Sequence, residues 1–148
     1  MAAAGASADE LERPDLDASW RARRVLRSLR TVDALPFLDI EHPRSHTYLT
    51  ERARSVLLSL DIPLLDVPTV RGPSRLLTRG LATWIYQAKN AVGEPLYGGI
   101  RYLSKPGSDF ECWAIFDGIT VEATGEQRIT ADNPDLIDVC ELFRIPLR

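Results

Sequence analysis

Between Tyr97 and Asp117 the sequence YGGIRYLSKPGSDFECWAIFD brings Arg101, Tyr102, Ser104 and Cys112 into one short stretch. A guanidinium can hold an anionic or polar group through paired hydrogen bonds, and a hydroxyl can be a nucleophile or a hydrogen-bonding group. Used as a nucleophile, Ser104 would need a base within hydrogen-bond reach. The chain has two histidines, His42 and His46, far upstream in a turn around Pro43, so Ser-His-Asp hydrolysis is not expected. Their spacing of four would put both on one face of a helix. Pro43 between them argues against that helix, no third ligand stands nearby, and no metal is expected. Cys112 and Cys140 lie in apolar runs, where a buried free thiol is the economical reading.

These side chains need a scaffold, and the local pattern supplies one. Ile100 and Tyr102, then Trp113, Ile115 and Phe116, are β-branched or aromatic residues flanking the turn residues Lys105-Pro106-Gly107-Ser108. This is a hairpin signature. Alternation puts Tyr102 and Ser104 on one face of its first strand and Arg101 on the other. Upstream, Ser74 opens the longest helix candidate, residues 75–88, whose apolar face comprises Leu76, Leu77, Leu81, Trp84, Ile85 and Ala88. Gly80 inside it costs about 1 kcal/mol relative to alanine, which suggests close approach to another backbone, that of the 98–104 strand.

A Gly-Ile-x-Tyr-x-Ser strand (Gly99 to Ser104), a short loop and a Cys-x-Ala-apolar-Phe-Asp strand (Cys112 to Asp117) together resemble the last conserved block of the RES domain. That family comprises bacterial NAD-degrading toxins of toxin–antitoxin systems and is named for an Arg, a Glu and a Ser. The run from Thr69 to Tyr86, with Thr78, Leu81, Ala82 and Trp84, is similar to the helix that precedes this block. The resemblance covers roughly residues 60–145. It implies a fold like the ADP-ribosyltransferases, NAD as substrate, and cleavage of the nicotinamide–ribose bond. It also implies neutralisation by a helix-turn-helix antitoxin. Ser104 matches the family's serine, a site residue that orients NAD, and Arg101 and Tyr102 are its neighbours in the expected dinucleotide site. The family's Arg and Glu lie upstream of the matched region. Glu41 or Glu51 as the acid and Arg44 as the cation are the candidates, none of them in a matching motif. A late-starting or truncated enzyme, a degenerate relative that binds without cleaving, and replacement of the missing roles by other residues or another chain all stay open.

Taken in order, residues 1–17 are small, polar and Ala-rich and are expected to form a loosely ordered arm. Residues 18–148 are expected to form one domain. From Ala18 to Leu29 an amphipathic helix is expected, with Trp20, Val25, Leu26 and Leu29 opposite four arginines; its basic side reads as a solvated edge more readily than as an anion site. Residues 35–40 suit a strand, residues 47–60 a helix capped by Ser45 or Thr47, and Leu64 to Pro68 an edge strand or connector. Residues 119–129 alternate as a half-solvated strand beside the hairpin, and Asn133-Pro134 starts a helix running to Phe143. Trp20, Trp84 and Trp113 are assigned to the core. The fold class is therefore α+β: a small mixed or antiparallel sheet around residues 98–129 with helices packed on it.

Composition narrows the function classes. Eighteen Lys and Arg against 21 Asp and Glu give a net charge of -3, a poor match to a nucleic-acid binder. No run approaches the roughly 18 apolar residues that cross a bilayer, and the N-terminus has neither the basic nor the apolar part of a signal peptide. A soluble, cytoplasmic protein is expected. No phosphate-cradling glycine loop is present. Beside the enzyme reading stand a non-catalytic binding protein and a homo-oligomer assembled through an uncovered sheet edge.

Overall fold

The computed structural model describes residues 16–33, 35–107 and 109–148. The fold is α+β, in the order α1 (Ala18–Ala22), β1 (Val25–Thr31), β2 (Phe37–Asp39), α2 (Pro43–Arg52), α3 (Arg54–Leu58), α4 (Val67–Arg71), α5 (Arg75–Gln87), β3 (Gly99–Leu103), β4 (Glu111–Ile115), β5 (Val121–Arg128) and α6 (Pro134–Phe143). Two compact units can be described. One combines the described residues up to Arg30 with Val121–Arg148, and the other is Thr31–Thr120.

In the Thr31–Thr120 unit the hairpin forms as the turn chemistry predicts, with β3 antiparallel to β4 and Tyr102 opposite Cys112. Ser108 of its loop lies outside the described residues. The other edge of β3 is taken by β2, parallel, with Leu38 opposite Ile100. The sheet is thus mixed, in the order β2-β3-β4. Gly99 is where β2 and β4 close in on β3. A Cβ there would lie 2.1 Å from the Ala114 carbonyl oxygen and 2.3 Å from Cε1 of Phe37, which only a residue without a side chain avoids.

The core of this unit joins the sheet to α2, α3 and α5, and Leu49, Leu57, Leu77 and Ile85 are fully buried in it. Ser74 caps α5 as expected, accepting from the Leu77 N–H at 3.3 Å. The close approach at Gly80 is made by α3 and not by the 98–104 strand: a Cβ would lie 2.7 Å from Cγ1 of Val56. The helix expected over residues 47–60 starts earlier, at Pro43, and is divided at Ala53 (φ -95°, ψ 26°) into α2 and α3. Proline at the first helical position loses no hydrogen bond that a helix would make, so Pro43 starts this helix instead of preventing it. His42, not Ser45 or Thr47, is the cap, its Nδ1 accepting from the Arg44 N–H at 3.1 Å. His46 is buried and donates from Nε2 to the Ile40 carbonyl at 2.8 Å. Leu64 to Pro68 forms no strand; Asp66 caps the short α4 through the Thr69 N–H at 2.8 Å, and the hydroxyl and N–H of Thr69 hold the Asp66 carboxyl below its ordinary range.

The other unit departs most from expectation. In place of a helix over residues 18–29, α1 ends at Ala22 and the chain continues as β1. Residues 1–15 of the expected arm lie outside the described residues; Leu16 is buried, pairing with Leu147, and the Asp17 side chain caps α1. The strand over 121–128 pairs with β1 and not with the hairpin. Across this pairing Arg27 and Arg30 meet Glu126 and Glu122 at 2.9 and 2.8 Å, exposed ion pairs that accompany the strand without being strong enough to dictate it. α6 follows the predicted bounds, capped by Asn133 and closed by Arg144 in the left-handed region (φ 53°).

Of the three tryptophans, Trp84 packs on the core edge-on to Tyr48, while Trp20 is half-buried beneath the Arg24 guanidinium. Trp113 is no core residue. It lies 53% exposed on the sheet face opposite α5, edge-on to Phe37, because alternation turns it away from Cys112 and Ala114. Among the described residues no helix is long and apolar enough to cross a membrane.

Candidate functional site

A cavity of about 470 Å³ lies within the Thr31–Thr120 unit, between the sheet and α5. Its floor is apolar, made by Leu77, Leu81 and Ile85 from the helix and Ile100 and Ala114 from the sheet. Strand alternation decides which chemistry-bearing residues reach it. Tyr102 and Ser104, two apart on β3 and its end, both line the cavity, as does Cys112 opposite Tyr102 on β4. Cys112 is half-buried and Cys140 buried, both as free thiols. The Ser104 backbone N–H donates to the Phe110 carbonyl at 2.8 Å, which pins the serine at the point where β3 leaves the sheet.

Arg101, expected beside Tyr102 in a dinucleotide site, does not line this cavity. One guanidinium nitrogen contacts both Asp39 carboxylate oxygens at 3.1 Å and another donates to Glu111. Glu111 and then Asp39 hold its pKa above the ordinary arginine value. The residue ties three strands together on the opposite face, and its donors are already engaged by carboxylates.

The cavity acquires its acid from the end of β2. Glu41 lines it with a side chain only 10% exposed. One carboxylate oxygen accepts from the Leu103 N–H at 3.3 Å and the other from Arg71 Nε at 2.9 Å. The carboxylate therefore holds the segment that carries Ser104. Arg71, the last residue of α4, also lines the cavity. A serine, a glutamate and an arginine thus converge on one space from β3, β2 and α4. Of the acid and cation candidates drawn from the sequence, Glu41 is placed here, whereas Glu51 and Arg44 lie exposed on α2 and do not line this cavity.

Arg71 escaped sequence reasoning. The Gly72-Pro73-Ser74 helix start marks it as a residue at a bend, but nothing in a separation of 30 residues links it to Glu41. The cavity also receives Ser74, Arg75 and Thr78 from the start of α5 and Lys105 from the hairpin loop. Neither histidine lines it, so Ser104 has no imidazole base there. The arrangement can hold a polar, anionic ligand at its rim and an apolar or aromatic body on its floor. Among the described residues no group of three His, Cys, Asp or Glu side chains is placed to hold a metal. In comparisons with known proteins, no family model, no curated protein and no solved structure matches this chain.

Proposed function

We propose that the chain binds NAD in the cavity beside Ser104 and cleaves its nicotinamide–ribose bond, in the manner the RES resemblance implies. The observation that supports this reading most is the presence of Glu41 and Arg71 on the same cavity as Ser104. In the proposed step the bond between C1′ and the pyridinium nitrogen breaks, its electron pair leaves with neutral nicotinamide, and a hydroxylic acceptor, water or inorganic phosphate, adds through oxygen at C1′ and releases its proton to solvent. The Glu41 carboxylate would stabilise the cationic ribose, Ser104 would orient it, and Arg71 would hold the carboxylate in place. An antitoxin of helix-turn-helix type covering the cavity would silence the activity.

A non-catalytic binding role is the second reading, and one feature favours it. Glu41 is the sole carboxylate lining the cavity among the described residues, and Arg71 already engages it. The experiment that separates the two is NAD consumption with nicotinamide release by the purified chain, with Ser104→Ala and Arg101→Ala as paired variants. Turnover lost in Ser104→Ala and kept in Arg101→Ala supports cleavage at this cavity. A folded chain that releases no nicotinamide leaves the binding role.

A further inference from the structure

The cavity rim carries an excess of positive charge on a chain whose overall charge is negative. Arg71 from α4, Arg75 from the first turn of α5 and Lys105 from the hairpin loop all line it, against the single carboxylate of Glu41. Arg71 spends its charge on that carboxylate. Arg75 and Lys105 make no ion pair with a described residue, although the whole chain has 21 acidic residues against 18 basic ones. Two cations that line one cavity from separate elements, neither in an ion pair with a described residue, leave a local field that favours an anion. Behind them the floor of Leu77, Leu81, Ile85 and Ala114 offers nothing that a small inorganic ion needs, but suits an apolar or aromatic body.

From this we infer that Arg75 and Lys105 form the anion subsite of the cavity, and that its ligand is a phosphate ester whose phosphate sits between them with an aromatic or apolar body over the α5 floor. The inference rests on the reading of this cavity as the ligand site, and it does not require that any bond be cleaved. It makes the phosphate, and not the base or sugar alone, the group that secures the ligand. Arg75 presents a planar fork suited to two phosphate oxygens, and Lys105 a compact point charge.

Isothermal titration calorimetry of the full chain with ADP-ribose, adenosine and inorganic phosphate, at low and at 0.3 M salt, tests it. Expected is ADP-ribose binding that weakens with salt, falls roughly tenfold in each of Arg75→Ala and Lys105→Ala, and is partly kept in Arg75→Lys. Adenosine binds more weakly and is indifferent to both variants. Inorganic phosphate competing with ADP-ribose at millimolar concentration would mean that free phosphate also fills the subsite; failure to compete would mean that the attached body is needed, and either result supports a phosphate subsite when the variants respond. ADP-ribose affinity unchanged in the double variant, adenosine bound as tightly as ADP-ribose, or no binding of ADP-ribose at all overturns it. Failure here is distinguishable from failure of the cleavage reading. Ser104-dependent nicotinamide release with an unchanged KM in the Arg75 and Lys105 variants removes the subsite alone. Salt-sensitive ADP-ribose binding without nicotinamide release removes cleavage alone.

Discussion

Replacing Glu41 tests whether its carboxylate serves mainly as a strut or also as a participant in chemistry. Its two oxygens receive the Leu103 N–H at 3.3 Å and Arg71 Nε at 2.9 Å, with the side chain 10% exposed. In Glu41→Ala the Leu103 N–H loses its partner, which costs about 1 kcal/mol. The ion pair adds less than a fully buried one would, because the Arg71 side chain is 41% exposed and can rehydrate; about 1 kcal/mol is the discounted value. The expected loss is therefore about 2 kcal/mol, a fall in Tm of roughly 4–8 °C for a chain of this size. Glu41→Gln keeps one acceptor oxygen and the shape, and should lose about half as much. The assay is urea and thermal unfolding of Glu41→Ala, Glu41→Gln, Arg71→Ala and the Glu41→Ala/Arg71→Ala pair, read as a double-mutant cycle. A coupling near 1 kcal/mol is expected, and a coupling indistinguishable from zero with Glu41→Ala losing less than about 0.5 kcal/mol would refute the strut. Nicotinamide release by Glu41→Gln then separates the two roles. A strut alone leaves activity that follows the folded fraction, whereas a carboxylate facing the ribose cation leaves a folded protein with little turnover.

Two further expectations rest on geometry elsewhere in the same unit. Gly99→Ala would force a Cβ against the Ala114 carbonyl and the Phe37 ring, so a loss of at least about 2 kcal/mol is expected from urea midpoints; Gly80→Ala, which meets only Cγ1 of Val56 and gains about 1 kcal/mol of helix propensity, should cost much less, and equal losses would contradict this difference in contacts. Burial and a hydrogen bond with Tyr48 push the Tyr97 phenol from 10.0 up to about 12. The neutral phenol is therefore the form the fold favours, and its contribution is complete below pH 10 and lost as pH rises through about 12. Absorbance titration should show one late tyrosine that moves back towards 10 in Tyr48→Phe, and a titration unaltered by that substitution would show that the hydrogen bond is not a cause.

Local rules made the hairpin, the α5 and α6 starts and the facing of Tyr102 and Ser104 readable from the sequence, because turn residues, caps and strand alternation act over a few residues. The same rules misled where a local pattern admits two partners. The arginines between Arg21 and Arg27 suit one side of a helix, yet Arg27 and Arg30 lie on a strand paired with β5, where they meet Glu126 and Glu122. Alternation in residues 121–128 announces a strand without saying which edge it meets, and β2 already occupies one side of β3. His42 and Pro43 were legible as part of a turn leading into a helix but not as its cap and first residue, since a cap and a first-position proline acquire those roles only when the next residues turn helical.

The sequence by itself determined an α+β chain with an acidic balance, a hairpin that carries Ser104 at its first strand's end, and a long helix ready to pack on it. Tertiary structure decided which cation and which acid would share a space with that serine. Arg101, adjacent in sequence, was turned to the far face and tied to Asp39 and Glu111, while Arg71 and Glu41 reached the cavity from elements 30 residues apart. Adjacency along a strand separates side chains onto opposite faces, and convergence on a cavity is a property of how elements pack, which no local spacing encodes.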